Sequence, residues 1–338
     1  MPKYKNIRLE IESEFEDRGA TKSSLSKMDP EAGRKLLTQT FLKLEQPPNK
    51  VQCMHVYVDG TLRNFRTKDQ TWPQKPQSPD EFPLLEFCGS ATDFDVGNLA
   101  DYYAKPVKLY KDPFRGGPNT LVFCETYSRE RLPTFANNRY RLLKAEDPEL
   151  GTETTFTFYQ SYTFLRKEDG KPLSYMDPAY DPDSKSGFAC GRIVAESHYK
   201  ACLYAGVNMA SLEPVTGLGQ WRYSVGGSSS PVEIGDDVWM SRFLLLRVAE
   251  DFGVAVNFEK EPAHSNLLLE VEDISPEKRL RIVDALLSKF VIKGHKPIQV
   301  RNLQHKIILT GFHGDIDPYD LCKKIIETFA AVSQKTPS

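Results

Sequence analysis

The stretch from Arg192 to Phe258 constrains the fold most, because it sets two long helical patterns around one strand pattern and closes on another. RIVAESHYKACLYAGV places Ile193, Ala201, Leu203 and Tyr204 among spacings of three and four, and stops at Gly206. DDVWMSRFLLLRVAEDFGV opens on Asp236 and Asp237, whose charge suits a helix N-terminus, and carries Val238, Phe243, Leu244, Leu245 and Val248 on a wide apolar stripe as far as Gly253. Between them QWRYSVGG alternates like a strand, with Trp221 and Tyr223 on one side. Val254 to Phe258 then reads as a short buried strand. Helix, strand, helix, strand predicts the heart of a mixed, layered α+β domain.

At 338 residues the chain has room for more than one domain and for a sizeable core. A hydrophobic content of 40% and a charged content of 27% are those of a globular protein. The formal net charge of -2 supplies no global attraction to nucleic acid or to anionic membranes, and no apolar run approaches the ~20 residues that span a bilayer. The first residues are rich in Glu and Asp and lack the apolar core of a secretion signal. The six cysteines are scattered without a C-x-x-C pair, so buried thiols in a reducing compartment, by default the cytoplasm, are expected.

Residues 1–28 are polar and weakly patterned, and Asp29-Pro30 has the form of a helix start. VQCMHVYVDG then alternates with period two and turns at Asp59-Gly60, with LRNFRTKD as its antiparallel partner. LLEFCGS, PVKLYKDPF and NTLVFCETY follow as short strands, and NNRYRLLKA as a helix. TFTFYQSYTFL is a strand rich in Thr and aromatics, and HSNLLLEVED is a further strand with Leu267 and Leu269 opposing Leu268; Ser275-Pro276 and Asp317-Pro318 each start a helix, with KIILTGF between them. The domain expectation is an N-terminal arm and helix over 1–44, a small mainly β domain over 45–125, and a larger mixed domain over 126–338.

The residues alone offer little chemistry. There is no GxGxxG and no GxxxxGK[ST], and VGGSSSP lacks the lysine of a phosphate loop and reads as an ordinary turn. The histidines do not pair at metal-ligand spacing, and Cys88 has no local partner that would make it a nucleophile.

In order along the chain, VYVDGT, GSATDFDVGNLADYY, KDPF, NTLVFCE, ESHYKACLYAGV, QW, GDDVWMSRFLLLRVAEDFGV and LTGFH resemble glutamine synthetase of the eukaryotic type, from roughly Val51 to His313. The resemblance implies a β-grasp domain followed by a catalytic-type domain with an antiparallel sheet, and ring-like assembly with active sites shared between subunits. It also implies synthesis of glutamine from glutamate, ammonia and ATP through a γ-glutamyl phosphate, with Mg²⁺ or Mn²⁺ held by glutamates.

Against that pattern the departures stand out. The metal-binding E-Q-E-Y strand is Tyr159-Gln160-Ser161-Tyr162, and the N-A-E ligand is replaced around Glu213-Pro214-Val215. Q-W-E has become Gln220-Trp221-Arg222, F-H-E reads Phe312-His313-Gly314, and the ammonium-side aspartate of F-D-G-S is Cys88. Pro262 to Asn266 replaces the glycine-rich glutamate loop, and within it His264 stands before Ser-Asn as the family's metal-binding histidine stands before Thr-Asn. Ile308 takes the place of an arginine, and the sequence lacks the R-x-S-x-x-R-x-P region, which makes the catalytic-type domain C-terminally truncated.

Cys88, Tyr159, Ser161, Val215, Arg222 and Gly314 are thus the degenerate catalytic positions, with His264 and His313 as weak substrate-binding candidates and no metal site. The expectation is an inactive homologue (a pseudoenzyme) with a structural or regulatory role, no cofactor, homo-oligomeric assembly and possible co-assembly with an active synthetase. Two alternatives are a nucleotide or amino-acid sensor using Arg222, His264 and His313, and an active glutamate–ammonia or glutamate–amine ligase using ATP and Mg²⁺ or Mn²⁺ at a relocated metal site.

Overall fold

The computed structural model describes residues 44–94, 101–145, 154–173, 190–258, 264–271, 275–290, 298–303 and 306–334, with the side chains of residues 264, 271 and 334 excepted. The expected arm and the helix beginning at Asp29-Pro30 lie outside them. Residues 49–338 form one compact unit and residues 1–48 another.

A five-stranded sheet comes first. Its strands are β1 (Val51–Val58), β2 (Phe65–Trp72), β3 (Leu85–Cys88), β4 (Asp101–Lys111) and β5 (Thr120–Tyr127), in the order β2-β1-β5-β4-β3. Only β1 and β5 run parallel; the other neighbours are antiparallel. The strand starting at Phe65 begins later than LRNFRTKD suggests, because residues 59–64 are consumed by the turn. There the Asp59 carboxylate accepts from the Thr61 amide and from Arg66 Nε at 3.3 Å. Gly60 is required at this turn: a Cβ on it would stand 2.0 Å from the Asp93 carbonyl oxygen.

After helix α1 (Asn138–Ala145), a seven-stranded sheet is built from β6 (Thr154–Arg166), β7 (Met209–Pro214), β8 (Gln220–Ser228), β9 (Val254–Asn257), β10 (His264–Val271), β11 (Gln299–Leu303) and β12 (Lys306–His313). The order is β11-β12-β10-β6-β8-β7, with β9 also paired to β6, and every pairing is antiparallel. Helices α2 (Arg192–Ala205), α3 (Pro231–Asp251), α4 (Pro276–Phe290) and α5 (Pro318–Gln334) complete the described strands and α-helices.

The composition of β6 explains how the sheet acquires two unlike faces. Phe156, Phe158, Gln160, Tyr162 and Phe164 alternate onto one face and are completely buried, as are Tyr223 and Val225 of β8. Thr157, Tyr159, Ser161 and Thr163 fall on the other face. Burying a large aromatic or aliphatic side chain contributes about 1.5–3 kcal/mol, so a one-residue slip of β6 would forfeit several such terms at once.

Two expectations about the central helices are corrected. Helix α3 starts at Pro231, five residues before Asp236, because the Ser230 side chain caps the Glu233 amide and proline suits the first turn. Asp236 and Asp237 are therefore interior residues, 2% and 4% exposed. Helix α2 buries Val194, Ala195, His198, Cys202 and Ala205, whereas Ile193, Leu203 and Tyr204 point outward. Strand β9 is half-buried rather than fully buried.

Helix α3 is covered on nearly all sides. Phe65 of β2 meets Trp239 and Phe243 edge-on at 5.5 and 5.6 Å between ring centres, while the opposite side of the helix packs on β6 and β8. Among the described residues Cys53, Cys124, Cys202 and Cys322 are buried and Cys88 and Cys190 half-buried, all as free thiols.

Candidate functional site

The polar face of the seven-stranded sheet carries Tyr159, Ser161 and Arg222 of the positions singled out in the sequence. Antiparallel register sets Ser161 opposite Arg222 and Arg222 opposite Glu213, so strands β6, β8 and β7 contribute one side chain each to a single row. One step along, Tyr159, Ser224 and Ser211 form the next row, with Ser211 and Ser224 sharing a hydrogen bond. The Arg222 guanidinium is held at both ends of the first row. Its Nε donates to Ser161 Oγ at 3.1 Å and its Nη1 to Glu213 Oε1 at 3.3 Å.

Glu213, rather than Val215, occupies this row. Val215 lies in the connection from β7 to β8, where its amide donates to the Gln220 carbonyl. Alternation along β7 is what assigns Glu213 to the Arg222 side. On the other side of β6, the backbones of His264 on β10 and His313 on β12 are paired, and His313 is exposed. Cys88 ends β3 in the other sheet and is not part of these rows. Its Sγ lies 3.1 Å from Ser90 Oγ, and hydrogen bonds from that side chain and from the Ala91 and Ser90 amides lower the thiol pKa below its ordinary value.

Gly314 is buried, and its carbonyl oxygen accepts from Gln160 Nε2 at 2.7 Å, Arg242 Nη2 at 3.1 Å and Ser265 Oγ at 3.2 Å. Arg242, which the sequence analysis did not single out, is 3% exposed. Its other hydrogen bonds go to neutral oxygens, those of Gln160 and Ile316. The Trp239, Phe158 and Phe258 rings surround the guanidinium at 4.9, 5.8 and 5.9 Å, and burial pulls its pKa down. No spacing rule marks such a residue in advance, since its partners are the Gln160 side chain and main-chain carbonyls distant in sequence.

The donor set can be tested against the divalent cations of the resembled family. Mg²⁺ and Mn²⁺ take hard oxygen ligands, chiefly carboxylates. The two rows offer a phenol at Tyr159, hydroxyls at Ser161, Ser211 and Ser224, a guanidinium at Arg222 and one carboxylate at Glu213, which that guanidinium already engages. Among the described residues no three His, Cys, Asp or Glu side chains gather as a group that could hold a metal ion. At about 4 Å and an effective dielectric near 20, the Arg222 charge would repel each positive charge of a cation by roughly 4 kcal/mol. These residues do not fit a divalent metal.

The described fold is similar to a solved structure titled "Apo GmaS without ligand", which superposes with a TM-score of 0.64 at 13% identity, covering 84% of this chain and 78% of that one. That likeness shows a mixed α+β fold shared with that structure. No protein-family model matches the chain. Individual relatives do: it is 35% identical over 289 residues to a glutamine synthetase of Schizosaccharomyces pombe, covering 80% of this chain and 79% of that protein. It is 31% identical over 298 residues to glutamine synthetase of Canis lupus familiaris, covering 82% and 78%. Against glutamine synthetase of Panulirus argus the identity is 37% over 240 residues, 69% of this chain and 66% of that one. The chain belongs to the glutamine synthetase family.

Proposed function

We propose that this chain is a glutamine synthetase homologue that no longer performs the metal-dependent ligase reaction and serves a structural or regulatory role. The observation that carries this is the Ser161–Arg222–Glu213 row, in which a guanidinium is anchored among the positions that match the family's cation ligands. Glutamyl phosphorylation needs cations to neutralise the transferring group, and a row with a fixed positive charge and one partly exposed acid opposes that task. Packing supports the same reading: helices α2 and α3, whose sequences resemble the family, contribute much of the core, so on this reading the scaffold has been kept while the chemistry was not.

On this reading the five-stranded sheet takes the place of the family's β-grasp domain and the seven-stranded sheet that of its catalytic domain. The chain needs no ATP or metal, forms homo-oligomers of ring type in the cytoplasm, and is able to join an active synthetase. Among the described residues no helix is long and apolar enough to cross a membrane.

The experiment is a turnover assay of the purified chain with ATP, Mn²⁺ or Mg²⁺, and glutamate together with ammonia or a primary amine. Absence of phosphate release above a no-acceptor control is expected. Acceptor-dependent phosphate release would overturn the proposal in favour of an active ligase with a relocated metal site. Tight ATP binding without turnover would instead favour a sensor.

A further inference from the structure

We propose that the outward face of helix α2 is a self-association surface, on which a second copy of this chain packs its own α2 antiparallel about a two-fold axis. The face lies opposite the buried side formed by Val194, Ala195, His198, Cys202 and Ala205. Its two large apolar residues are strongly exposed, Ile193 at 68% and Tyr204 at 44%. With Glu196, Ser197, Lys200 and Ala201, and with Pro113 from the β4–β5 connection, they line a shallow hollow of about 570 Å³.

The order of these residues identifies the occupant. Ile193 and Tyr204 stand at equal distances from the helix midpoint between His198 and Tyr199, and so do Glu196 and Ala201, and Ser197 and Lys200. In an antiparallel two-fold pair, residues equidistant from the axis face each other. Ile193 then meets the partner's Tyr204 at both ends of a contact about 16 Å long, at the usual 8–10 Å between helix axes.

The charges agree with that arrangement. Lys200 falls within one residue of the level of the partner's Glu196, and the same contact recurs on the other side of the axis. Lys200 makes no ion pair among the described residues, and Glu196 pairs only with Arg192 on its own helix, at 3.4 Å and largely in solvent. Among the described residues, the face thus has a cation without an ion pair and a lightly held acid in self-complementary positions. A membrane or nucleic acid would select a face of one sign, which this is not. One helix pair buries less than the roughly 1,000 Å² of a stable interface, so the association by itself is weak and concentration-dependent.

The test is sedimentation of the full chain across a concentration series, with Glu196→Lys and Lys200→Glu made separately. Both positions are exposed, so circular dichroism should be unchanged. Each variant opposes like charges across the axis and is expected to weaken self-association at least about tenfold. An equimolar mixture of the two sets the new lysine of one copy against the new glutamate of the other, and should restore association. Where the chain also assembles through other faces, either variant should halve the mass of the assembly and the mixture recover it. A wild-type chain that shows no association, variants that associate like wild type, or variants that mixing does not rescue would each overturn the proposal.

Discussion

Lys108 Nζ lies 2.7 Å from Asp237 Oδ1, although the two residues are 129 positions apart in sequence. The same carboxylate accepts from the Tyr110 hydroxyl at 2.7 Å and from the Asn208 amide at 2.9 Å. Next to it, Asp236 accepts from Arg139 Nε at 2.8 Å and Nη2 at 3.1 Å and from the Tyr319 hydroxyl. Adjacent acids on α3 therefore fasten β4 on one side and α1 and α5 on the other.

Removing one member of such a set leaves the others buried without a partner, which typically costs 3–5 kcal/mol, whereas an exposed ion pair is worth about 0–1 kcal/mol. Asp237→Ala is expected to destabilise by about 3–5 kcal/mol in urea unfolding, and Glu213→Ala by less than about 1. Equal losses for the two variants would contradict the role assigned to the Asp237 set.

Gly235 offers a case in which two effects oppose each other. Glycine in a helix interior costs about 1 kcal/mol relative to alanine, so propensity alone makes Gly235→Ala stabilising. A Cβ there would stand 2.1 Å from the Tyr319 ring, which is 4% exposed and tied through its hydroxyl to Asp236. Overpacking of this kind costs about 1–3 kcal/mol and is expected to prevail, so the unfolding midpoint should fall. A raised midpoint would show that Tyr319 has room to move.

How far the sequence disclosed this arrangement depended on the range of the signal. Period-two alternation in TFTFYQSYTFL and the Asp317 cap of α5, whose carboxylate accepts from the Tyr319 and Asp320 amides, are local patterns and were legible. The start of α3 was misplaced because acidic residues suit both a first turn and a buried ion pair. Only long-range contacts with Lys108 and Arg139 distinguish those roles. The face of α2 was misassigned for a related reason: Ile193 and Tyr204 are apolar yet exposed, while His198, a polar residue, belongs to the core. At the polar row, only strand register, which no local spacing discloses, sets Glu213 beside Arg222 and Arg222 beside Ser161.

Charge reversal at Arg222 tests the row directly. Arg222→Glu would set two carboxylates opposite each other on β8 and β7 beside the Ser161 hydroxyl, which destabilises the unliganded protein by up to about 1 kcal/mol. The same change creates oxygen donors for a hard cation. Mn²⁺ is expected to raise the thermal midpoint of the variant and leave that of the wild type unmoved; a ligand at 100 times its dissociation constant adds about 2.7 kcal/mol. Stabilisation of the wild type by Mn²⁺ would contradict the assignment of Arg222 as a bar to cations.

His198 makes the acid limb of the stability curve predictable. Its Nε2 lies 3.0 Å from the Ser241 carbonyl oxygen and 3.1 Å from Cys202 Sγ. Complete burial lowers its pKa from 6.5 to about 4. In the unfolded chain the ring regains an ordinary pKa near 6.5. Between those values the unfolded state binds the proton and the folded state does not, so stability falls as pH drops from about 6.5 to about 4 and this contribution is constant below. The full difference amounts to about 3 kcal/mol. Urea midpoints measured at steps through that window should decline, and His198→Leu should have a shallower decline than wild type whatever its stability at neutral pH. An unchanged slope in the variant would place the acid sensitivity elsewhere, with His55, whose pKa is also lowered by burial, as the next residue to replace.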